Sequence, residues 1–103
     1  MAQNQIITEY DDAGIPIVAF KSAFPTATGV IKTAPGRLLR IVVTVAPSAA
    51  ITFYDNALSA AGNVLFVVPS AAVVGTVYDV NLPALAGIYA SFAGTGTLAV
   101  GFA

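Results

Sequence analysis

Few side chains in this sequence can do chemistry. Its 103 residues hold five carboxylates (Glu9, Asp11, Asp12, Asp55 and Asp79), four bases (Lys21, Lys32, Arg37 and Arg40) and a scatter of hydroxyls. There is no cysteine, histidine or tryptophan. That inventory removes the thiol nucleophile, the imidazole base, the zinc finger and the disulfide framework together, and leaves the redox compartment unread. Asp55 and Asp79 are the best remaining pair, since glycoside hydrolysis needs two carboxyl groups facing one sugar. Each follows a tyrosine where a strand should end, a place where aspartate commonly bonds a turn amide, and neither has a base, nucleophile or orienting group beside it. Glu9, Asp11 and Asp12 offer oxygen for Ca²⁺, but a calcium loop gathers about six to eight oxygens in a D-x-D-x-D-G pattern that is missing here. Asp12-Ala13-Gly14 reads instead as a turn. Lys21-Ser22 has no Gly-x-x-x-x-Gly ahead of it, and Gly94-x-Gly96 lacks the third glycine of a dinucleotide fingerprint. The expectation is a protein that is not an enzyme and takes no cofactor and no metal.

Contact chemistry is better supplied. Tyr10, Tyr54, Tyr78 and Tyr89, with Phe24, Phe53, Phe66 and Phe92, suit either a sugar-stacking platform or anchors for a core and an interface. In a small β protein the anchor role is expected. Arg37 and Arg40 lie three apart, which on a regular strand puts them on opposite faces. One would then meet solvent or a partner's carboxylate, and the other would need a paired acid if buried. The candidate interface residues are therefore Glu9, Tyr10, Arg37, Arg40, Tyr54, Tyr78 and Tyr89.

Charge is scarce and uneven. Only 9% of residues are charged while 57% are apolar, against about 25% charged in an ordinary soluble domain. For a mass of 10.4 kDa the folded surface should be about 5,400 Å², so each charge has roughly 600 Å² to itself. Uncharged expanses of that size mark contact surfaces, which argues against a free monomer. Seven of the nine charges precede residue 41, so the contact surface is expected mainly from Ile41 onward. A net charge of −1 provides no footprint for nucleic acid. The start, MAQNQIITEYDD, has no basic n-region or apolar h-region, so no signal peptide is expected. Residues 56–78 and 80–103 are charge-free and long enough to raise a membrane question. Their Gly, Pro and Asn interruptions and the lack of basic flanks read against insertion.

The elements that must position these residues are strands. Period two dominates: Leu98, Val100 and Phe102 oppose Thr95 and Thr97, and Ile51 and Phe53 alternate with Thr52 and Tyr54. Ile15–Phe20, Val64–Val68, Thr76–Leu82 and Ile88–Phe92 complete the set, and Arg37–Val45 is the long central strand, β-branched and apolar on both faces. Val64–Val68 reads as a buried strand. Turn residues fall every 8–12 residues or so, among them Phe24-Pro25, Pro35-Gly36, Asp55-Asn56, Leu82-Pro83 and Gly94-Thr95-Gly96, the last suiting a tight hairpin. The expectation is an all-β fold: a compact antiparallel β-sandwich or jelly-roll-like barrel of about eight short strands over 13–103. Residues 1–12 are expected to form an extended N-terminal arm. Thr52-Phe-Tyr-Asp55 returns as Thr76-Val-Tyr-Asp79, an echo that would suit similar corners in two sheets.

Taken in order, Gly36-Arg-Leu-Leu-Arg-Ile-Val-Val-Thr44, Ala-Ala-Ile-Thr-Phe-Tyr-Asp-Asn-Ala57, Ser-Ala-Ala-Gly62, Gly75-Thr-Val-Tyr-Asp79, Gly87-Ile-Tyr-Ala90 and Gly94-Thr-Gly-Thr-Leu-Ala-Val100 resemble small β-rich virion proteins of tailed bacteriophages. The resemblance covers residue 36 to the C-terminus, in texture and order, without a catalytic signature. It implies a head-decoration (cement) protein, often trimeric, that clamps adjoining capsomers. The expected partners are further copies of itself and the phage major capsid protein, with no nucleic acid or membrane, and the expected place is the outer surface of the head. Such proteins commonly add a terminal arm, which residues 1–12 could supply; on physical grounds a small closed all-β body with covered edges would resist self-aggregation. The alternatives are a tail, baseplate or head-fibre component, or a carbohydrate- or surface-binding β-sandwich module.

Overall fold

The structure, a computed structural model, describes residues 8–10, 16–18 and 21–103, the first two segments as backbone only. Ten strands follow in chain order: β1 Thr8–Tyr10, β2 Pro16–Val18, β3 Lys21–Ala23, β4 Gly29–Lys32, β5 Gly36–Val45, β6 Ile51–Tyr54, β7 Val64–Val68, β8 Val77–Ala84, β9 Ile88–Phe92 and β10 Thr97–Phe102. The last eight form two antiparallel four-stranded sheets, ordered β3-β10-β5-β8 and β4-β9-β6-β7. Apart from β6 to β7, every connection from β3 onward crosses between sheets, and this interleaving is that of an eight-stranded jelly roll. No helix among the described residues is long and apolar enough to cross a membrane. The Ala57–Ala61 stretch is a series of bends.

The alternation read from the sequence builds the core. Leu38, Ile41 and Val43 of β5 and Leu98 and Val100 of β10 face Ile51 and Phe53 of β6, Val68 of β7 and Ile88 and Ala90 of β9, all at 1% exposure or less. Among the described residues no polar or charged side chain is buried with them. β5 and β10 are the inner strands of the first sheet, as the apolar RLLRIVVTV run requires.

The structure departs from the expectation at several places. Among the described residues Val64–Val68 is an edge strand pairing with β6 alone, and Val64 and Val67 are half exposed. Leu82-Pro83 lies inside β8 rather than in a turn. The edge explains it: Arg37, opposite Pro83, exchanges both backbone bonds with Ala103 on its other side, so Pro83 owes no N–H to the ladder. Gly94-Thr95-Gly96 joins β9 to β10 across the two sheets and is an arch rather than a hairpin. Strands β3 and β4 are additional, being too short to show a period.

Of the expected arm, Thr8–Tyr10 pairs with Pro16–Val18 in a two-stranded sheet of its own. Residues 1–7 and 11–12 lie outside the described residues, as do 15, 19 and 20 of the expected second strand.

Candidate functional site

A bulge decides where the arginines go. Leu38 and Ile41 are both fully buried although three apart, because β5 carries an extra residue at Leu39 relative to β10. Arg37 and Arg40 therefore share the outer face of the first sheet instead of dividing between two faces. Arg40 Nε donates to Asp79 Oδ1 at 2.8 Å across the β5–β8 pair. Arg37 Nη1 donates to the backbone carbonyl and the side-chain oxygen of Asn81, at 3.1 and 3.2 Å. Asn81 adopts φ 49°, a left-handed conformation that asparagine tolerates.

The two aspartates do not meet. Asp79 is on that outer face, while Asp55 follows β6 of the other sheet, at the end of the sandwich where the 85–87 turn passes. Oδ2 of Asp55 accepts the N–H of Leu85 at 3.0 Å, and Oδ1 accepts those of Ala86 at 2.8 Å and Gly87 at 3.4 Å. The amides of Ala86 and then Leu85 hold its carboxyl below the ordinary value of 3.8, against a smaller opposing cost of desolvation. This is a structural clasp between two loops. Among the described residues no group of three acidic side chains is placed to hold a metal ion.

A shallow depression of about 150 Å³ on the first sheet is lined by Ser22, Phe24, Arg40, Val42, Ala99 and Gly101. Small-molecule sites run to about 300–1,000 Å³ with converging polar groups. Here the polar lining is Ser22 and an arginine already engaged by Asp79.

The second sheet presents a different outer face. Tyr54 of β6 and Tyr89 of β9 lie directly opposite each other, flanked by Val30 of β4 and Val64 of β7. Thr52, Ser91 and Val67 form the next row. Directly opposed residues on one face lie about 5 Å apart, so these rows make one continuous surface of aromatic, aliphatic and hydroxyl groups. Among the described residues it carries no charge. Arg37, Arg40 and Asp79 are on the opposite sheet, as is Lys21, Lys32 pairs with the core-facing Ile88 rather than with the outward row, and Asp55 is held in its clasp.

Of the residues singled out in the sequence, the structure brings Tyr54 and Tyr89 together on this face and Arg37 and Arg40 together on the other. Tyr78 points into the sandwich, its ring 5.0 Å from that of Phe66. The matching Tyr-Asp echo therefore serves two unlike positions. Glu9 and Tyr10 belong to β1, whose side chains lie outside the described residues. Sequence reasoning missed Val30, Val64 and Val67, since their common face follows from strand order and register rather than from any local pattern.

No protein-family model, curated protein or solved structure matches this chain.

Proposed function

We propose that this protein is a non-catalytic structural component of a bacteriophage particle, a head-decoration protein that oligomerises and binds the outer surface of the head across capsomers. The observation that supports this reading most is the charge-free outer face of the β4-β9-β6-β7 sheet. Valine, threonine, serine and tyrosine shed water at low cost and strand no ionic group on burial, which is what a broad protein contact requires. The phage resemblance from residue 36 onward supplies the kind of partner. The copy number it implies is three.

Capsids assembled without this protein test the proposal. Add-back should restore resistance to heat or low salt, and Tyr54→Ala with Tyr89→Ala should weaken the restoration. Capsids that neither bind the protein nor gain stability would sink it, and imaging that places it on the tail would favour a tail or baseplate role. A second reading, a carbohydrate-binding module, draws on the adjacent Tyr54 and Tyr89 rings, a pair suited to stacking on a sugar face. Glycan-array binding abolished by those same substitutions is its expected signature.

A further inference from the structure

Two polar residues in succession fix two loops at one end of the sandwich. Asp55 accepts the amides of Leu85, Ala86 and Gly87. Oδ1 of Asn56 accepts those of Leu58 at 2.7 Å and Ser59 at 3.0 Å, while its Nδ2 donates to the carbonyl of Ala61 at 3.2 Å. The loops also touch, since a Cβ on Gly87 would lie 3.0 Å from Ala57 Cα. What these bonds hold in place is apolar. Leu58 and Leu85 are the two most exposed large apolar side chains among the described residues, at 86% and 76%. A single exposed leucine is ordinary. Two of them on touching, hydrogen-bonded loops make a preformed prong, and fixing loops in advance removes part of the ordering cost of binding.

Such a prong calls for an apolar recess that admits a leucine, and Asp55 at its base calls for a cation on the rim. Among the described residues no base pairs with Asp55, and Lys32 at the same end lays its side-chain carbons across Gly36. The depression on the outward side of the first sheet has both features. Its floor is made of small residues, Gly101 between Ser22 and Arg40 and Ala99 beside Val42. Phe24 walls it at 68% exposure, the one exposed aromatic side chain among the described residues. Its volume is about 150 Å³, and a space of about that size takes benzene, a bulkier group than a leucine side chain. Arg40 donates to Asp79 through Nε, and its Nη groups meet no acceptor among the described residues. With Arg37 on the same side, two arginines stand against one aspartate, so this face is basic where the prong is acidic.

We infer that the Leu58 and Leu85 prong of one copy docks in the depression of a second copy, with Asp55 set against Arg40. This inference rests on the proposal that the protein oligomerises and names the two surfaces it uses. A copy cannot fill its own depression. The prong stands on the loops that follow β6 and β8, at the end of the sandwich, whereas the depression opens outward from β3, β10 and β5. The two halves are different patches, so the contact runs head to tail and closes when it is repeated around a ring. It leaves the uncharged face of the second sheet open to another partner.

Native mass spectrometry and sedimentation at micromolar concentration test this with two variants. Leu58→Ser combined with Leu85→Ser blunts the prong, and Ala99→Glu fills the depression and engages Arg40. The expected result is an oligomeric wild type, with a dissociation constant raised at least about tenfold in each variant alone. An equimolar mixture of the two should then form a one-to-one dimer and nothing larger, because one intact prong meets one intact depression. Val73→Ser is the control, an exposed apolar position in the loop at the opposite end of the sandwich, and should leave the assembly unchanged. Should Ala99→Glu lose its cooperative melt, Phe24→Ser reads the same depression. A mixture that stays monomeric, or an oligomer indifferent to either variant, overturns the contact while leaving oligomerisation intact. A wild type that stays monomeric overturns both, and loss of capsid binding in the leucine variant would then give the prong to another protein.

Discussion

Asp55 shows how little of a residue's role is settled by its type. Read as a candidate acid, it is instead a fixed anion that joins two loops through three backbone amides. Asp55→Asn removes the charge and should cost about 1–2 kcal/mol in urea unfolding, the worth of charge-assisted hydrogen bonds at a solvent-accessible site. The pH dependence has a definite sign. Because the folded carboxyl titrates below 3.8, the stability it contributes is fully present above the unfolded value and is lost as pH falls through the folded one. Unfolding midpoints followed below about pH 4 should drop in the wild type and drop less in Asp55→Asn. Gly96 is a further residue whose identity is constrained. Its φ is +147°, and a Cβ there would lie 2.9 Å from Pro47 Cα. Gly96→Ala should therefore cost about 1–3 kcal/mol, lowering the thermal midpoint by several degrees. The Asp-Asn turn and the need for glycine near residue 95 were legible in the sequence. The amides that Asp55 meets were not, being 30 residues away in the chain.

At the scale of the element, strand β5 carries the clearest lesson. Its composition marks it as a central strand, and it is one. Simple alternation then puts Arg37 and Arg40 on opposite faces, and the bulge at Leu39 reverses that by letting Leu38 and Ile41 both turn inward. Burying two large apolar side chains outweighs the small loss of ladder regularity. The resulting Arg40–Asp79 pair is exposed, its side chains 60% and 71% accessible. A double-mutant cycle on Arg40→Ala and Asp79→Ala should give a coupling under about 1 kcal/mol, vanishing in high salt. Strands β3 and β4 escaped the sequence reading because three or four residues cannot display a period. Strand β7 was found, but its apolar run hid that it is an edge.

At the scale of the molecule, one apolar core joins the two sheets, with Phe53 its largest fully buried side chain. Phe53→Ala should destabilise by about 3–5 kcal/mol in denaturant melts, enough to leave a domain of this size marginal. The charges are sorted around that core by sheet. The first sheet carries Arg37, Arg40 and Asp79 outward, the second an uncharged face ending in the bare edge of β7. The charge scarcity read from composition thereby acquires a location. It belongs to one sheet rather than to everything after Ile41, since β5, β8 and β10 form the charged sheet with β3.

The sequence by itself determined the all-β class, the approximate strand number, the inward residues of β6 and β10, the absence of cysteine and histidine and the shortage of charge. These follow from period two and from composition, both local properties. Only the tertiary structure decided that β6 lies beside β9, so that Tyr54 meets Tyr89, that Asp55 and Asp79 lie on different sheets, and that β7 ends a sheet. Strand order in a jelly roll is set by which connections cross the sandwich, and bulges are set by what the neighbouring strand must bury. Neither is written in any one segment of the chain.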